Sequence, residues 1–551
     1  MKAQDPMTQA FDEYLDGTYD CVDRLVLNAY FPLGGSGGGF RTWWRRLCGG
    51  DETLDDTHLM RFPGRFSRRV RAWADKADIP VIHCQRGQRK HEIAQEFIPQ
   101  APDARGVFCI LVGPAPAALR KVQKAKNGQP HISVKKPYPY ANHYAFHIMD
   151  PEWGHIIIRL CPHPPFPAQI ILNGHDYVAR KAQKKGIAFS KEGNCFTHFS
   201  NAADLASVAD AMSAKGAVGR LTKLCERWIY SACLCFALTT EEQERSGFHY
   251  AFSVYQCEYS RNLLFTRGRH MEQVFDSVID RTRAPLCIKT LSTIFGYKHR
   301  PFRRDRDGKP LRIEARIERP VWDLTVFKVH LGRLTAKIYS KGERVLRIEC
   351  IAHNVKDLRC GCILERFCAI VAALRQMLER FMSVLRHVDA SFIHNDLLQQ
   401  LPQPGTLNKT RVPGIDANHP RMRAVMSALV SLATAPRGFS ASDLAKKVNE
   451  ILPPKSSLYR PSQAAYDLRK LRAKGLVQKQ PYARTYTMPD EGLKSITALH
   501  VLREKVIEPL LANSARKQMG RKPKNHGILD QQYENLQTNM QQLFRIVGIA
   551  A

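Results

Sequence analysis

Residues 460–488, RPSQAAYDLRKLRAKGLVQKQPYARTYTM, carry the most specific fold signal in the chain. Apolar residues recur at helical spacing over 460–474, and two short strand-like stretches around a basic tip follow them. Two further helices are predicted upstream, over 421–434 and over 440–448, and the second begins at the N-cap residue Ser440. Three helices followed by a basic hairpin predict a winged helix.

In helix-turn-helix modules the second helix of the motif enters the major groove with its N-terminal residues at the base edges, while a wing contacts the DNA backbone. The residues predicted to contact base edges lie near the start of the last helix and are Ser462, Gln463 and Tyr466. The residues predicted to contact phosphate are Arg469 and Lys470 on that helix and Arg484 at the tip of the hairpin. A winged helix that contacts another protein is the alternative interpretation.

The whole chain is predicted to be an α/β multidomain protein. Over 1–125, strand-like runs alternate with helical patterns, which predicts a parallel sheet in a Rossmann-like or nuclease-like α/β layer. Hairpins and helices over 140–400 predict a central α+β region of two subdomains, with its clearest hairpin at 334–349. The winged-helix domain follows over 415–515, and 516–551 form a basic tail.

The charge of the chain indicates a polyanionic partner. Its 551 residues include 83 Lys and Arg against 51 Asp and Glu, a formal net charge of +32. Self-repulsion on this scale opposes folding, so a polyanion is expected to compensate it, with nucleic acid first and an anionic membrane surface second. No apolar run is long enough to span a bilayer, and the polar start lacks the order of a secretory signal. We therefore expect a cytoplasmic protein with no membrane partner, and the oligomeric state stays open.

The cysteines do not form a recognisable framework. Their number, 15, is odd, and they lie in apolar segments, which indicates thiols in a reducing compartment. The two close pairs, Cys233/Cys235 and Cys360/Cys362, have CxC spacing, and neither has a second CxxC or HxxxH partner at zinc-finger spacing. The sequence therefore predicts no zinc site.

Two basic clusters are predicted to bind phosphate without sequence preference. Each places five cations within nine positions, as counterion release on a nucleic-acid backbone requires. The clusters are 298–306, which contains Arg300, Arg303 and Arg304, and 516–524. Solvated charged loops are the alternative interpretation.

The hairpin sequence KIYSKGERVLRIE, residues 337–349, is a third candidate contact with nucleic acid. Strand alternation puts Lys337 and Tyr339 on one face of its first strand. Tyr339 is interpreted as a residue that stacks on bases, or as a nucleophile on a phosphodiester. The hairpin residues predicted to contact phosphate are Lys341, Arg344 and Arg347. A cross-strand ladder of ion pairs is the alternative.

The candidates for catalysis lie in the N-terminal region. At the predicted loop-to-helix junction after the second strand, His91 could act as a general base and Glu92 as a metal ligand. Asp23, together with Asp20, would complete a Mg²⁺ site for cleavage of a phosphodiester. A capped helix start on a basic face is the alternative. The segment NGHDY, residues 173–177, is interpreted as a turn.

Four segments together carry a family resemblance, namely 25–30, 87–92, 173–177 and 337–349. Their combination resembles a broad family of bacterial proteins similar to mobile-element proteins, over about residues 20–400. The resemblance implies a bacterial or phage-like source and a nucleic-acid partner, and it brings no assigned reaction. For the localisation we expect the bacterial cytoplasm, with association with the nucleoid left open. The C-terminal part separately resembles winged-helix DNA-binding domains.

The sequence supports three hypotheses about function. The first is a nucleic-acid-binding protein of a bacterial mobile genetic element that processes DNA or RNA as a metal-dependent nuclease or recombinase. The second is a noncatalytic ribonucleoprotein component that clamps a structured RNA. The third is a winged-helix transcription regulator. Whether the partner is DNA or RNA, and whether an RNA guide supplies specificity, stays open.

Overall fold

Two compact units make up the protein. The computed structural model describes residues 14–85, 88–101, 103–124, 130–271, 274, 327–331, 334–341, 343–389, 400–453, 458–503 and isolated positions between 532 and 542. The basic clusters at 298–306, with Arg300, Arg303 and Arg304, and at 516–524 lie outside them. We call Gly17–Asn262 with Ile351–Leu374 the sheet unit, and Met1–Asp16 with Leu263–Cys350 and Arg375–Ala551 the C-terminal unit.

A mixed β-sheet forms the centre of the sheet unit. The strands are β1 (Leu15–Tyr30), β2 (Val81–His83), β3 (Gly106–Pro116), β4 (Arg120–Lys124), β5 (Pro130–Val134), β6 (Tyr140–Asp150), β7 (Gly154–Leu160), β8 (Ala168–Asn173), β9 (Phe189–Glu192), β10 (Cys195–Phe199) and β11 (Ala251–Phe265). Within the unit the sheet order is β11-β1-β8-β7-β6-β3-β2, while β4 pairs with β5 and β9 with β10 in two separate hairpins.

The observed sheet corrects the parallel, Rossmann-like layer predicted for 1–125. β1 pairs antiparallel with β8, so that Arg24 lies opposite Asn173. β3 pairs antiparallel with β6 and parallel with the short β2. The coarser prediction, a multidomain α/β protein, agrees with the mixed sheet and its helices. Alternating strand and helix patterns do not specify the partners of each strand, and the partner of β1 comes from far along the chain.

Helices cover the sheet with an aromatic core. The helices of this unit are α1 (Gly37–Cys48), α2 (Asp56–Lys76), α3 (Lys90–Gln95), α4 (Gly174–Lys184), α5 (Ala202–Ala211), α6 (Ala217–Ala232) and α7 (Thr240–Ser246). Trp43 of α1 and Phe66 of α2 are fully buried, and Phe66 packs edge-on against Phe146 of β6 with ring centroids 6.3 Å apart. Such buried aromatic pairs stabilise the helix layer on the sheet.

Two histidines on neighbouring strands make the sheet unit sensitive to acid. His147 Nδ1 lies 3.0 Å from His155 Nε2, so one ring donates a hydrogen bond that the other accepts. Burial, with a smaller contribution from the His155 charge, lowers the pKa of His147 from its usual value to about 3. The folded state therefore does not take up the proton that the unfolded state binds below about pH 6.5.

We expect the free energy of unfolding to fall by up to about 2 kcal/mol through His147 as the pH drops from 6.5 to 5. Stability is fully present above pH 6.5 and decreases below it, because the pKa of His147 is lower in the folded state. Urea unfolding at several pH values tests this. His147→Gln is expected to flatten the pH dependence, whereas the control His198→Gln, at an exposed position of β10, keeps it. An unchanged pH dependence in His147→Gln would contradict the expectation.

The C-terminal unit combines a β-hairpin with a helical segment. The remaining strands are β12 (Phe327–Leu331), β13 (Leu334–Ser340), β14 (Val345–Ala352), β15 (Gly405–Leu407), β16 (Thr410–Val412), β17 (Gln478–Lys479) and β18 (Tyr486–Thr487). The remaining helices are α8 (Phe367–Asp389), whose residues up to Leu374 belong to the sheet unit, α9 (Pro420–Leu432), α10 (Ala441–Ile451), α11 (Pro461–Ala473) and α12 (Asp490–Leu502). β13 lies between β12 and β14, which confirms the hairpin predicted at 334–349.

The elements predicted from 421 to 488 are also found. α9, α10 and α11 match the three predicted helices to within a few residues, and β17 and β18 pair antiparallel as the predicted hairpin. In the part of the chain that the structure describes, no helix has both the length and the apolar character needed to cross a membrane.

Candidate nucleic-acid interface

The side chain of Asn449 joins the end of α10 to the residue that precedes α11 by two positions. Asn449 at the end of α10 donates from Nδ2 to the Tyr459 carbonyl at 2.8 Å and accepts the Tyr459 N–H at 2.9 Å. These two hydrogen bonds satisfy the backbone N–H and the carbonyl of Tyr459, just before α11 begins. Pro461 then occupies the first turn of α11, where its missing N–H costs nothing. The start of α11 therefore has a defined position relative to α10.

A buried carboxylate attaches α11 to α9. Asp467 is completely buried and accepts a hydrogen bond from Tyr459 Oη at 2.9 Å and another from Arg421 Nη2 at 3.2 Å. Burial raises the pKa of Tyr459, and the negative charge of Asp467 raises it further, so the phenol stays protonated and donates. Because Asp467 and Leu468 face inwards, the helical repeat turns the residues at 462, 463, 466 and 469 outwards.

The outward face of α11 carries polar and cationic side chains. Ser462, Gln463, Tyr466 and Arg469 are exposed, and Lys470 is half-buried. These are the residues of α11 for which the sequence predicts contacts with DNA. The Lys470 ammonium lies 5.0 Å from the centre of the Tyr466 ring, within range of a cation–π contact. Gln463 Oε1 accepts the Arg460 N–H at 2.8 Å, which leaves its amide nitrogen as the donor for an external contact.

The hairpin after α11 presents a projecting tip. Gln480 N–H donates to the Thr485 carbonyl at 2.9 Å and closes the loop, in which Tyr482 and Arg484 are exposed. Phe439, just before α10, exchanges backbone hydrogen bonds of 2.9 and 2.7 Å with Tyr486 and so joins the hairpin as a bridge. Gly438 is needed at this junction, since its φ is +73° and a Cβ there would lie 2.3 Å from the Tyr486 carbonyl oxygen.

The charged side chains on this surface are cationic. Residues 458–488 contain seven Lys or Arg and one carboxylate, and that carboxylate is the buried Asp467. The surface offers side-chain donors near the start of α11 and cations farther along α11 and on the hairpin. Such a surface can bind a ligand that is negatively charged and presents hydrogen-bond acceptors.

The hairpin residues at 337–349 are held by internal contacts instead. Glu349 is buried, Lys337 Nζ forms an ion pair with it, and Tyr339 Oη donates to Glu349 Oε2 at 3.4 Å. Arg347 is fully buried, which excludes the phosphate contact predicted for it. These contacts match the cross-strand ion-pair ladder that the sequence left as the alternative.

The loop of that hairpin lies closer to solvent. Arg344 Nη1 lies 3.3 Å from Asp16 Oδ2, and both side chains are about one-third exposed. The Lys341 N–H donates to the Val345 carbonyl at 2.7 Å, and its side chain is half-buried. Only Lys341 and Arg344 of the predicted hairpin residues therefore lie where a phosphate could approach, among the residues described.

The catalytic candidates do not meet in one place. His91 and Glu92 are exposed on the short α3, and Glu92 pairs with Arg89 at 2.8 Å. Asp23 is 1 % exposed on β1. α3 contacts β3, and three strands, β8, β7 and β6, separate β3 from β1 in the sheet order. Asp20 forms an ion pair with Arg261 at 2.8 Å. The Mg²⁺ site predicted from Glu92 and Asp23 is therefore not assembled.

Asp23 instead belongs to a buried polar group that sequence reasoning missed. His175 Nδ1 lies 2.9 Å from Asp23 Oδ1, and His175 Nε2 lies 3.3 Å from Tyr19 Oη. The thiol of Cys21 also lies nearby, and all four side chains are buried. The signals were Tyr19, Cys21 and Asp23 at alternate positions of one strand, and a histidine in the segment 173–177 that was interpreted as a simple turn.

Comparisons of the chain with models of protein families, with curated proteins and with solved structures gave no match.

Proposed function

We propose that α9, α10 and α11 with the hairpin β17–β18 form a winged helix, and that the protein binds duplex DNA through it. The observation that supports this most strongly is the charge separation over 458–488, where the single carboxylate is buried and seven cations accompany it. A structural helix with no polyanionic partner would gain solubility from carboxylates on its exposed face, and this face has none.

In the proposed complex, α11 lies in the major groove. Its first turns bring Ser462, Gln463 and Tyr466 to the base edges, and glutamine amides and hydroxyls are donors and acceptors suited to bases. Arg469 and Lys470 both lie about one turn beyond Tyr466 and bind phosphates. Arg484 of the hairpin binds the backbone beside the groove. The buried Asp467 keeps α11 at a fixed angle while these contacts form.

The proposal predicts that Arg469→Ala and Arg484→Ala each weaken binding of a fluorescent duplex of random sequence by about fivefold to tenfold in 0.1 M salt. Each substitution removes one phosphate contact, together with the counterions that it releases. Fluorescence anisotropy with the full-length protein measures the Kd. Circular dichroism spectra check that each variant is folded.

Lys121→Ala is the matched control, because Lys121 is an exposed cation on β4 of the sheet unit. Its loss changes the net charge by the same amount and is expected to leave the Kd within about twofold. Equal losses of affinity in all three variants would indicate general attraction between a basic protein and DNA, and would contradict the proposal. Unchanged affinity in both Arg variants would contradict it as well.

A further inference from the structure

Three metal-ligating side chains meet in the interior of the sheet unit. Cys21 and Asp23 lie two positions apart on β1, so they share one face of the strand. His175, the second residue of α4, lies next to the side chains of Cys21 and Asp23. One ligand atom from each residue lies within 4.8 Å of the others, and the three residues are 1 %, 1 % and 0 % exposed.

The local fold brings α4 unusually close to β1. Gly174 begins α4 against the backbone of β1, where an added Cβ would lie 1.7 Å from the Val22 carbonyl oxygen. Asn173 Oδ1 accepts the His175 N–H at 3.0 Å and caps the helix. The glycine and the cap together position His175 directly over Cys21 and Asp23. The segment 173–177 therefore delivers a ligand as well as turning the chain.

A further contact orients the imidazole. Tyr19 Oη lies 3.3 Å from His175 Nε2, and it accepts the Phe196 N–H at 3.0 Å. A histidine that binds a metal through one nitrogen usually donates its other N–H to a neighbouring acceptor, which fixes the ring and the tautomer. Tyr19 is placed to accept that hydrogen bond when Nδ1 is the ligand.

We propose that Cys21, Asp23 and His175 bind a divalent transition-metal ion, with Zn²⁺ as the best match. A thiolate, a carboxylate and a neutral imidazole carry a total charge of −2, which one divalent ion neutralises. Neutrality matters here, because an uncompensated charge in a fully buried site costs several kcal/mol. A soft thiolate beside an imidazole favours Zn²⁺ over Mg²⁺, which prefers oxygen ligands.

The spacing of the donors is compatible with this ion. Two donors of one tetrahedral Zn²⁺ lie about 3.4 Å apart, given bonds of about 2.0–2.1 Å. His175 Nδ1 and Asp23 Oδ1 are 2.9 Å apart. The two atoms therefore need to move apart by about half an ångström to bind the ion. Three protein donors leave the fourth position to a small ligand such as water. This site is independent of the proposed binding of DNA.

The first test is the metal content of the full-length protein, purified without chelators or a metal-binding tag. We expect about one zinc ion per chain, and the zinc X-ray absorption spectrum is expected to show one sulfur at about 2.3 Å with nitrogen or oxygen donors at about 2.0 Å. Protein that contains no transition metal after growth with added zinc, and that binds no Co²⁺ afterwards, would overturn the proposal. A zinc spectrum with several sulfur donors, or with none, would overturn it too.

Substitutions then identify the ligands. Protein loaded with Co²⁺ is expected to show a thiolate-to-cobalt charge-transfer band, which Cys21→Ala abolishes. Cys109→Ala, which removes an equally buried thiol on β3, is expected to keep the band. Asp23→Asn is the second ligand variant, and it is expected to keep the band with at least tenfold weaker Co²⁺ binding. A band that persists in folded Cys21→Ala would exclude Cys21 as a ligand.

Discussion

Asp467→Ala is expected to lower the free energy of unfolding of the C-terminal unit by about 3 kcal/mol. The substitution leaves the buried hydroxyl of Tyr459 without its acceptor and removes the ion pair with Arg421. Both partners lie at the junction of α9 with α11, so the loss loosens the helix that we propose reads DNA. Urea unfolding, followed by circular dichroism and by tyrosine fluorescence, measures the change.

Tyr459→Phe separates the two contacts of Asp467. It removes only the 2.9 Å hydrogen bond and keeps the ring, so a loss of about 1 kcal/mol is expected. The double variant Asp467→Ala, Tyr459→Phe is expected to be less destabilised than the sum of the single variants, because the two side chains interact directly. Stability within about 0.5 kcal/mol of the wild type in Asp467→Ala would show that the buried carboxylate does not hold α11.

Gly174→Ala is expected to cause the second large effect, a loss of about 2–4 kcal/mol in the sheet unit. The new Cβ would lie 1.7 Å from the Val22 carbonyl oxygen and 3.0 Å from Met212 Sδ. The first of these atoms is backbone, so the clash is relieved only when α4 moves away from β1. Thermal unfolding measures the loss, and the zinc content of the purified variant shows whether His175 has moved as well.

Gly219→Ala provides the matched control. Gly219 lies inside α6, and a Cβ there would meet no atom within 4 Å. Alanine is a better helix former than glycine, so this variant is expected to be as stable as the wild type or up to about 1 kcal/mol more stable. Equal stability of Gly174→Ala and Gly219→Ala would contradict the close contact between α4 and β1.

Local patterns predicted the elements better than their arrangement. The three helices and hairpin from 421 to 488 were predictable because helical periodicity, an N-cap serine and a tight turn are all encoded within a few residues. The sheet was not, because β1 pairs with β8, and Leu25 lies opposite Leu172. An apolar strand run does not show whether its partner is parallel or antiparallel, and alternating helices favoured the wrong arrangement.

The charged hairpin at 337–349 illustrates a second limit. Alternation assigned its side chains to faces correctly, but it does not distinguish an edge strand from a central one. β13 has a neighbour on each side, and the face that carries Lys337 and Tyr339 contacts the buried Glu349. Some of the cations that suggested a phosphate site therefore form ion pairs with carboxylates of the protein itself.

The two sites differ in how far the sequence predicted them. The residues of α11 that face outwards can be predicted from the helical repeat. The burial of Asp467 between them cannot, because aspartate is usually exposed. The group around His175 joins residues far apart in the chain, since Tyr19 and His175 are 156 positions apart. A search for zinc ligands at finger-like spacing cannot find such a set, because only the folded sheet unit brings β1 and α4 together.

The salt dependence of duplex binding tests the proposed interface most directly. The slope of log Kobs against log salt reports how many phosphates the protein neutralises, with about 0.9 for each contact on B-DNA. We expect the double variant Arg469→Ala, Arg484→Ala to lower this slope by about 1.8 relative to the wild type, while Lys121→Ala leaves it unchanged. A slope that is identical in the wild type and in the double variant would show that α11 and its hairpin do not contact the DNA backbone.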